Sequence, residues 1–204
     1  ELQGTPILTR DFSWTLRMNL THYKNKITSL PEERRTDECD GVEGYSSGSY
    51  YYGEGISLYT FRMHQYAGVN ENGESMWYYN KEVPRVDKDG NNVVDANGNQ
   101  IFDIVKDKTT TYSSADYYLC GTALPEVYGG FGTTLSANGF DLSVNFVYQI
   151  GGTVYDSDYA FYMSAPSTNT VGVAYHKDIY NSWTPQNKLT DTPRFVLGDM
   201  YTAA

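Results

Sequence analysis

"GFGTTLSANGFDLSVNFVYQIGG", residues 130–152, is the stretch whose reading decides the fold. Asn138-Gly139 at its centre is the dipeptide that best accepts the positive φ angles of a type I′ turn, and strand-like runs flank it. A two-residue turn fixes the register: Ala137 faces Phe140, Leu135 faces Leu142, Thr133 faces Val144, Phe131 faces Phe146, Gly129 faces Tyr148 and Val127 faces Ile150. Side chains alternate across a strand, so this set shares one almost wholly apolar face, on which Tyr148 lies over Gly129. The other face pairs Ser136 with Asp141, Thr134 with Ser143, Gly132 with Asn145, Gly130 with Val147 and Tyr128 with Gln149, and is mostly polar.

A second segment repeats the pattern. "DFSWTLRMNLTHYKNKI" (11–27) sets Phe12, Trp14, Leu16, Met18 and Leu20 against Ser13, Thr15, Arg17, Asn19 and Thr21. Each apolar row runs for about ten residues, near the length a tilted strand needs to cross a bilayer. Alternation alone leaves two solutions open. The apolar row can face lipid while the polar row faces a lumen, or it can pack on a second sheet in a soluble β-sandwich. Trp and Tyr at the ends of the apolar rows, and connections that alternate between very short and very long, favour the first.

Composition agrees with an all-β chain: 20 Tyr and 19 Gly in 204 residues suit strands and turns. A formal net charge of −10 argues against a nucleic-acid partner, because no basic patch is available to displace counterions from phosphates. Cys39 and Cys120 lie far apart and in no metal or redox spacing, which leaves both a disulfide and two thiols open. His22, His64 and His176 have no ligand spacing, and no nucleophile, zinc or phosphate-loop motif is present. The sequence therefore predicts no enzyme, no cofactor and no metal site.

Short connections near 9–11 and 138–139 would lie on one side of a membrane, and long excursions on the other. This places strands at about 11–30, 121–137 and 139–152, with a further strand before Thr9, and extracellular loops at about 31–120 and 153–204. Within the first excursion, 41–55 reads as a Gly/Ser/Tyr turn-rich segment and 56–68 as a strand. Asp and Asn in 86–103 invite a calcium reading, but Gly90 follows directly on Asp89 and breaks the EF-hand spacing. Turns at Asp89-Gly90 and Asn97-Gly98 explain these residues better. Residues 176–187 suggest a short helix ended before Pro185. So few strands cannot close a barrel, since small ones need about eight; with a start at Glu1 and an end in DMYTAA, the expectation is a fragment, and a self-contained small barrel is disfavoured.

Several of these segments resemble one family. "GTALPEVYGGFGTTLSANGFDLSVNFVYQIGGTVYD" (121–156), "DFSWTLRMNLTHYKNKITSLP" (11–31), "HKDIYNSWTPQN" (176–187) and "TPRF" (192–195) resemble, in order, the barrel of SusC/RagA-type TonB-linked outer-membrane proteins. The run L-P-x-x-Y-G-G-F-G, Leu124 to Gly132, is the most specific part; residues 32–110 match little. The resemblance implies part of a large antiparallel transmembrane β-barrel in the bacterial outer membrane, in contact with its lipid. It implies an importer of oligosaccharides or peptides that works beneath a SusD-like surface lipoprotein. Energy would come from TonB through an N-terminal part that this segment lacks.

In such a barrel Arg17, Asn19, Asp141, Asn145 and Gln149 line the lumen. Gly129, Gly130 and Gly132 either leave room beside the wall or let the sheet curve. Tyr45, Tyr50, Tyr51 and Tyr52 become candidates to stack on sugar or to meet the lid protein at the outer mouth, against a plainer reading as loop packing. The alternative function is a secreted or surface-exposed glycan-binding β-sandwich with the tyrosine-rich loops as its platform.

Overall fold

A computed structural model of the chain describes residues 1–164, 172, 174–196 and 198. The chain is all-β apart from short helical turns, and divides into two compact units: Glu1–Arg62 with Leu119–Val154, and Met63–Tyr118 with Tyr155–Ala204. Among the described residues no helix is long and apolar enough to cross a membrane.

The first unit carries a four-stranded antiparallel sheet built from β1 (Leu2–Leu8), β2 (Phe12–His22), β11 (Val127–Ala137) and β12 (Phe140–Ile150), in the order β1-β2-β11-β12. Asn138 and Gly139 take φ of 50° and 86°, as a type I′ turn requires. The hairpin register is the one the turn dictates, from Ala137 opposite Phe140 to Val127 opposite Ile150. On its other edge β11 pairs with β2 over its whole length, Ala137 opposite Phe12 and Val127 opposite His22. β1 joins β2 through a turn locked by Thr9, whose hydroxyl accepts from the Phe12 amide at 3.0 Å.

A five-stranded sheet follows the order β10-β6-β5-β4-β3, from β10 (Tyr117–Thr122), β6 (Thr60–His64), β5 (Tyr50–Gly53), β4 (Val42–Ser47) and β3 (Asp37–Cys39). Its interior is organised by Tyr51, which is 0% exposed. The Tyr51 hydroxyl donates to a pair of carbonyls, Asp37 O at 2.9 Å and Val42 O at 2.8 Å. Gly53 makes room for the ring: a Cβ there would enter Val42 Cγ1 and stand 3.2 Å from Tyr51 Cε1. Arg62 bonds Asp37 at 3.0 Å over the same ring. Asp40, in the Asp40-Gly41 turn after β3, accepts from the Leu119 amide of β10 at 2.7 Å. The two edges of the sheet thus meet, and the sheet curls around Tyr51.

The second unit holds the antiparallel sheet β7 (Tyr66–Val69), β8 (Ser75–Pro84) and β9 (Phe102–Thr109). Three of its turns are built alike, in "NENGE" (70–74), "DKDGN" (87–91) and "DANGN" (95–99). In each, the first side chain accepts from the amides two and four residues on, at 2.8 to 2.9 Å. These amide bonds pull the Asp87 and Asp95 carboxyls below the usual aspartate range. Trp183 and Arg194 close over the first turn, where a Cβ at Gly73 would stand 2.6 Å from the indole.

The elements differ from the sequence reading in definite places. The strand expected over 11–30 stops at His22, because Asn25 Oδ1 captures the Leu58 amide at 3.0 Å and the Ser57 hydroxyl at 3.1 Å, and Ile27 pairs with Ile56. The strand expected over 121–137 begins only at Val127: Pro125 has no N–H to give a neighbour, and Gly121 has φ of 88°. The excursion over 31–120 is folded into sheets rather than being a plain loop. The strand read over 56–68 divides into β6 and β7, with Tyr59 before it at φ of 55°. The segment 153–204 contains the helix α1 (Ser157–Met163), capped by Asp156, and the helical turn expected over 176–187 is confined to Lys177–Asn181. Residues 199–204, the whole of DMYTAA, lie outside the described residues.

Candidate functional site

The four-stranded sheet presents two chemically different faces, and both are open. On one stand Phe12, Trp14, Leu16, Met18 and Leu20 of β2, Phe131 and Leu135 of β11, and Phe140, Leu142, Val144, Phe146 and Ile150 of β12. Phe140 is 83% exposed, Leu142 60%, Phe146 50% and Ile150 61%. A second sheet over this face, as a soluble sandwich needs, would have buried them.

Two side-chain donors on this face are met within it. Trp14 Nε1 donates to Thr133 Oγ1 at 2.8 Å, which accounts for a threonine between Leu16 and Val144. The Tyr148 ring lies across Gly129 and its hydroxyl donates to Asn19 O at 3.1 Å, where a Cβ on Gly129 would collide. Pairing the indole and phenol donors inside the face suits surroundings without water, because an unmet polar group there costs several kcal/mol, about 4 to 8 by transfer to a hydrocarbon. Phe131 and Phe146 stack with centroids 4.8 Å apart.

The opposite face carries Arg17, Asn19, Asp141, Asn145 and Gln149, all exposed. Arg17, Gly132 and Asn145 share one rung, and Asn19, Gly130 and Val147 the next. A shallow groove of about 220 Å³ runs over the two glycines between these side chains. Asp141 sits beside the turn and Gln149 eight residues up the strand, roughly 27 Å apart at the rise of a strand. The five residues therefore line a face and do not converge on one site.

Of the candidate tyrosines, three share a surface and one does not. Tyr45 stacks on Tyr52 with centroids 5.2 Å apart, Tyr59 meets Tyr52 and Tyr50 edge-on, and Tyr50 covers the buried Phe61 at 4.8 Å. Arg34 stands 5.3 Å from the Tyr45 centroid. Burial first, then the neighbouring phenols of Tyr59, Tyr45 and Tyr50, push the Tyr52 hydroxyl pKa up. Tyr51 points the other way, fully buried, so its ring offers no face to a ligand; burial first, then the Asp37 charge, push its hydroxyl up to about 12. Alternation along β5 explains the split, and Tyr59 is the member of the cluster that the sequence did not signal.

No protein-family model matches the chain. Over 192 residues it is 26% identical to TonB-dependent receptor P3 of Formosa agariphila, an alignment covering 92% of this chain and 17% of that protein. It is also 26% identical over 194 residues to TonB-dependent receptor P26 of the same organism, covering 95% of this chain and 18% of that protein. The chain thus spans less than a fifth of the length of these relatives, and along nearly all of its own length it is similar to a segment of TonB-dependent receptors.

Proposed function

We propose that this chain is a wall segment of an outer-membrane TonB-dependent importer of the SusC/RagA type. It would take up oligosaccharides or peptides beneath a SusD-like surface lipoprotein, with TonB engaged through a part of the protein outside this segment. The observation that carries the reading is the four-stranded sheet whose apolar face is exposed, internally hydrogen-bonded and backed by a polar face. A strand wall between lipid and a wet lumen needs that combination. Similarity to two TonB-dependent receptors supports the same reading.

In this arrangement β1, β2, β11 and β12 cross the bilayer. Phe131, Leu142 and Phe146 face lipid, and Arg17, Asn19, Asp141, Asn145 and Gln149 face the lumen. The five-stranded sheet stands at the outer mouth and offers Tyr45, Tyr50 and Tyr52 to solute or lid. No catalytic role falls to any residue.

Fractionation of producing cells tests this directly, with an antibody against residues 121–152. The expected result is a detergent-requiring outer-membrane band several times larger than 23.0 kDa. A soluble band near 23.0 kDa would overturn the reading in favour of a glycan-binding module.

A further inference from the structure

A cavity of about 900 Å³ opens where β2 ends and β11 begins, lined by His22 to Lys26, Gly55, Ser57, Thr122 and Leu124 to Glu126. All of these belong to the first unit. Its floor is fixed: Ser57 donates to Asn25 Oδ1, Thr122 Oγ1 donates to Leu58 O at 2.7 Å, and Gly55 N donates to Ile27 O at 2.8 Å. Its two lysines, Lys24 and Lys26, are exposed, and among the described residues neither forms an ion pair. Glu126 also lines the cavity, but its contact with this end of β2 is through its carbonyl, 2.8 Å from His22 Nδ1. Two lysines outside any ion pair beside one cavity stand out in a chain of net charge −10.

Position along the strands says what they meet. The apolar row of β2 ends at Leu20; beyond it Tyr23 and Tyr128 pack edge-on at 6.1 Å on the polar side of the sheet, where Tyr128 stands opposite Thr21 and Gln149. Lys24 and Lys26 follow immediately. An apolar band followed at once by cations is the order in which side chains meet hydrocarbon and headgroups.

We propose that Lys24 and Lys26, with the Asn25, Ser57 and Thr122 polar groups beside them, hold the phosphate of an outer-leaflet lipid headgroup in this cavity. The inference rests on reading the four-stranded sheet as a membrane wall. Continuity with the apolar band selects a lipid phosphate over a soluble one, because the headgroup is delivered by acyl chains lying on Leu16, Met18 and Leu20. The site would anchor the wall at the point where β2 and β11 leave the membrane for the outer sheet.

The test uses the full-length protein, purified in detergent from producing cells, as wild type, Lys24→Gln/Lys26→Gln and Lys24→Arg/Lys26→Arg. Lipid phosphorus retained per protein is measured after exhaustive washing. Each lysine near a membrane surface is worth a factor of about five in binding. The glutamine pair should therefore weaken retention on the order of twentyfold, and the arginine pair should restore it. Equal retention by wild type and the glutamine pair in a membrane-embedded protein overturns the site and leaves the importer reading intact. Inorganic phosphate that binds the delipidated wild type, is lost in the glutamine pair and is not displaced by added phospholipid overturns the assignment to a lipid. A protein that needs no detergent overturns both readings together.

Discussion

Two antiparallel sheets in this chain are written in the same alternating pattern and end in opposite environments. In the five-stranded sheet, alternation along β5 buries Tyr51 completely, and the sheet curls until its edges meet through Asp40 and Leu119. In the four-stranded sheet, alternation along β12 leaves Phe140, Leu142, Phe146 and Ile150 open, while Asp141, Ser143, Asn145 and Gln149 are equally open behind them. Period-two patterning tells which residues share a face, and nothing about what covers that face. The covering has to be read from something else. In the first case it is the facing glycines Gly44 and Gly53, of which Gly44 lets the two backbones approach and Gly53 leaves room for the ring. In the second it is the self-contained hydrogen bonding of Trp14, Thr133 and Tyr148.

The sharpest way to break this contrast is to empty the curled sheet. Tyr51→Ala removes a fully buried ring and should cost about 3–5 kcal/mol. Amide hydrogen exchange over 37–53 in the full-length protein would report it as loss of protection confined to that sheet. Tyr51→Phe keeps the ring and should cost only about 1–2 kcal/mol for the lost donor. Equal exchange in all three proteins would mean that Tyr51 does not organise the sheet.

A charge on the open apolar face should cost nearly as much, and only if lipid covers it. Phe146→Arg is expected to lose about 2–4 kcal/mol of stability in the membrane, against at most about 1 kcal/mol for Asn145→Arg one residue away. The amount of folded, heat-modifiable protein recovered from outer membranes measures the difference. Gly129→Ala comes next, at about 1–3 kcal/mol, because its methyl would strike Asn19 O and displace the Tyr148 hydroxyl. Gly4→Ala on the same sheet meets nothing within 4 Å and should be close to neutral.

The smallest effect lies in the second unit. Asp87 and Asp95 have carboxyls held below the usual range chiefly by backbone amides, so their contribution is present above the ordinary aspartate pKa of about 3.9 and is lost as pH falls through the lower folded values. Carboxyl chemical shifts titrated from pH 6 downward should therefore give midpoints below the ordinary value for both residues. Midpoints at or above it would mean that the amide bonds are not held.

The hairpin was legible because Asn138-Gly139 and eleven alternating positions on each side, from Val127 to Ala137 and from Phe140 to Ile150, all demanded one register. Strand ends were less legible. The sequence reading carries this strand on to residue 30 although the apolar row ends at Leu20, and only a partner distant in the chain, Leu58 with Ser57, shows why Asn25 turns away. The curled sheet was hidden by its own glycines. Gly44 and Gly53 read as turn formers, yet they belong to β4 and β5, where Gly44 lets the Tyr52 backbone come close and Gly53 makes space for Tyr51.

The first of the repeated turns, Asn70 to Glu74, carries the same spacing as the other two but begins with Asn, and its likeness to them emerges only from the shared bonds. Among site residues, alternation grouped Arg17, Asn19, Asp141, Asn145 and Gln149 on one face. Residues 41–55 read as a turn-rich segment and not as strands, so the alternation that sends Tyr51 away from Tyr50 and Tyr52 into an interior went unread. The lysine cavity was out of reach, because its walls come from residues 22–26, 55–57 and 122–126.

The most direct test of the central claim is the environment of neighbouring positions on β12. Spin labels at cysteines placed at Leu142, Ser143, Asn145 and Phe146, in a Cys39→Ser/Cys120→Ser background of the full-length protein in outer-membrane vesicles, report collisions with oxygen and with a water-soluble nickel chelate. The account predicts that labels at 142 and 146 favour oxygen and labels at 143 and 145 favour the chelate. Labels at 142 and 146 shielded from both reagents, or all four reporting water alike, would contradict it.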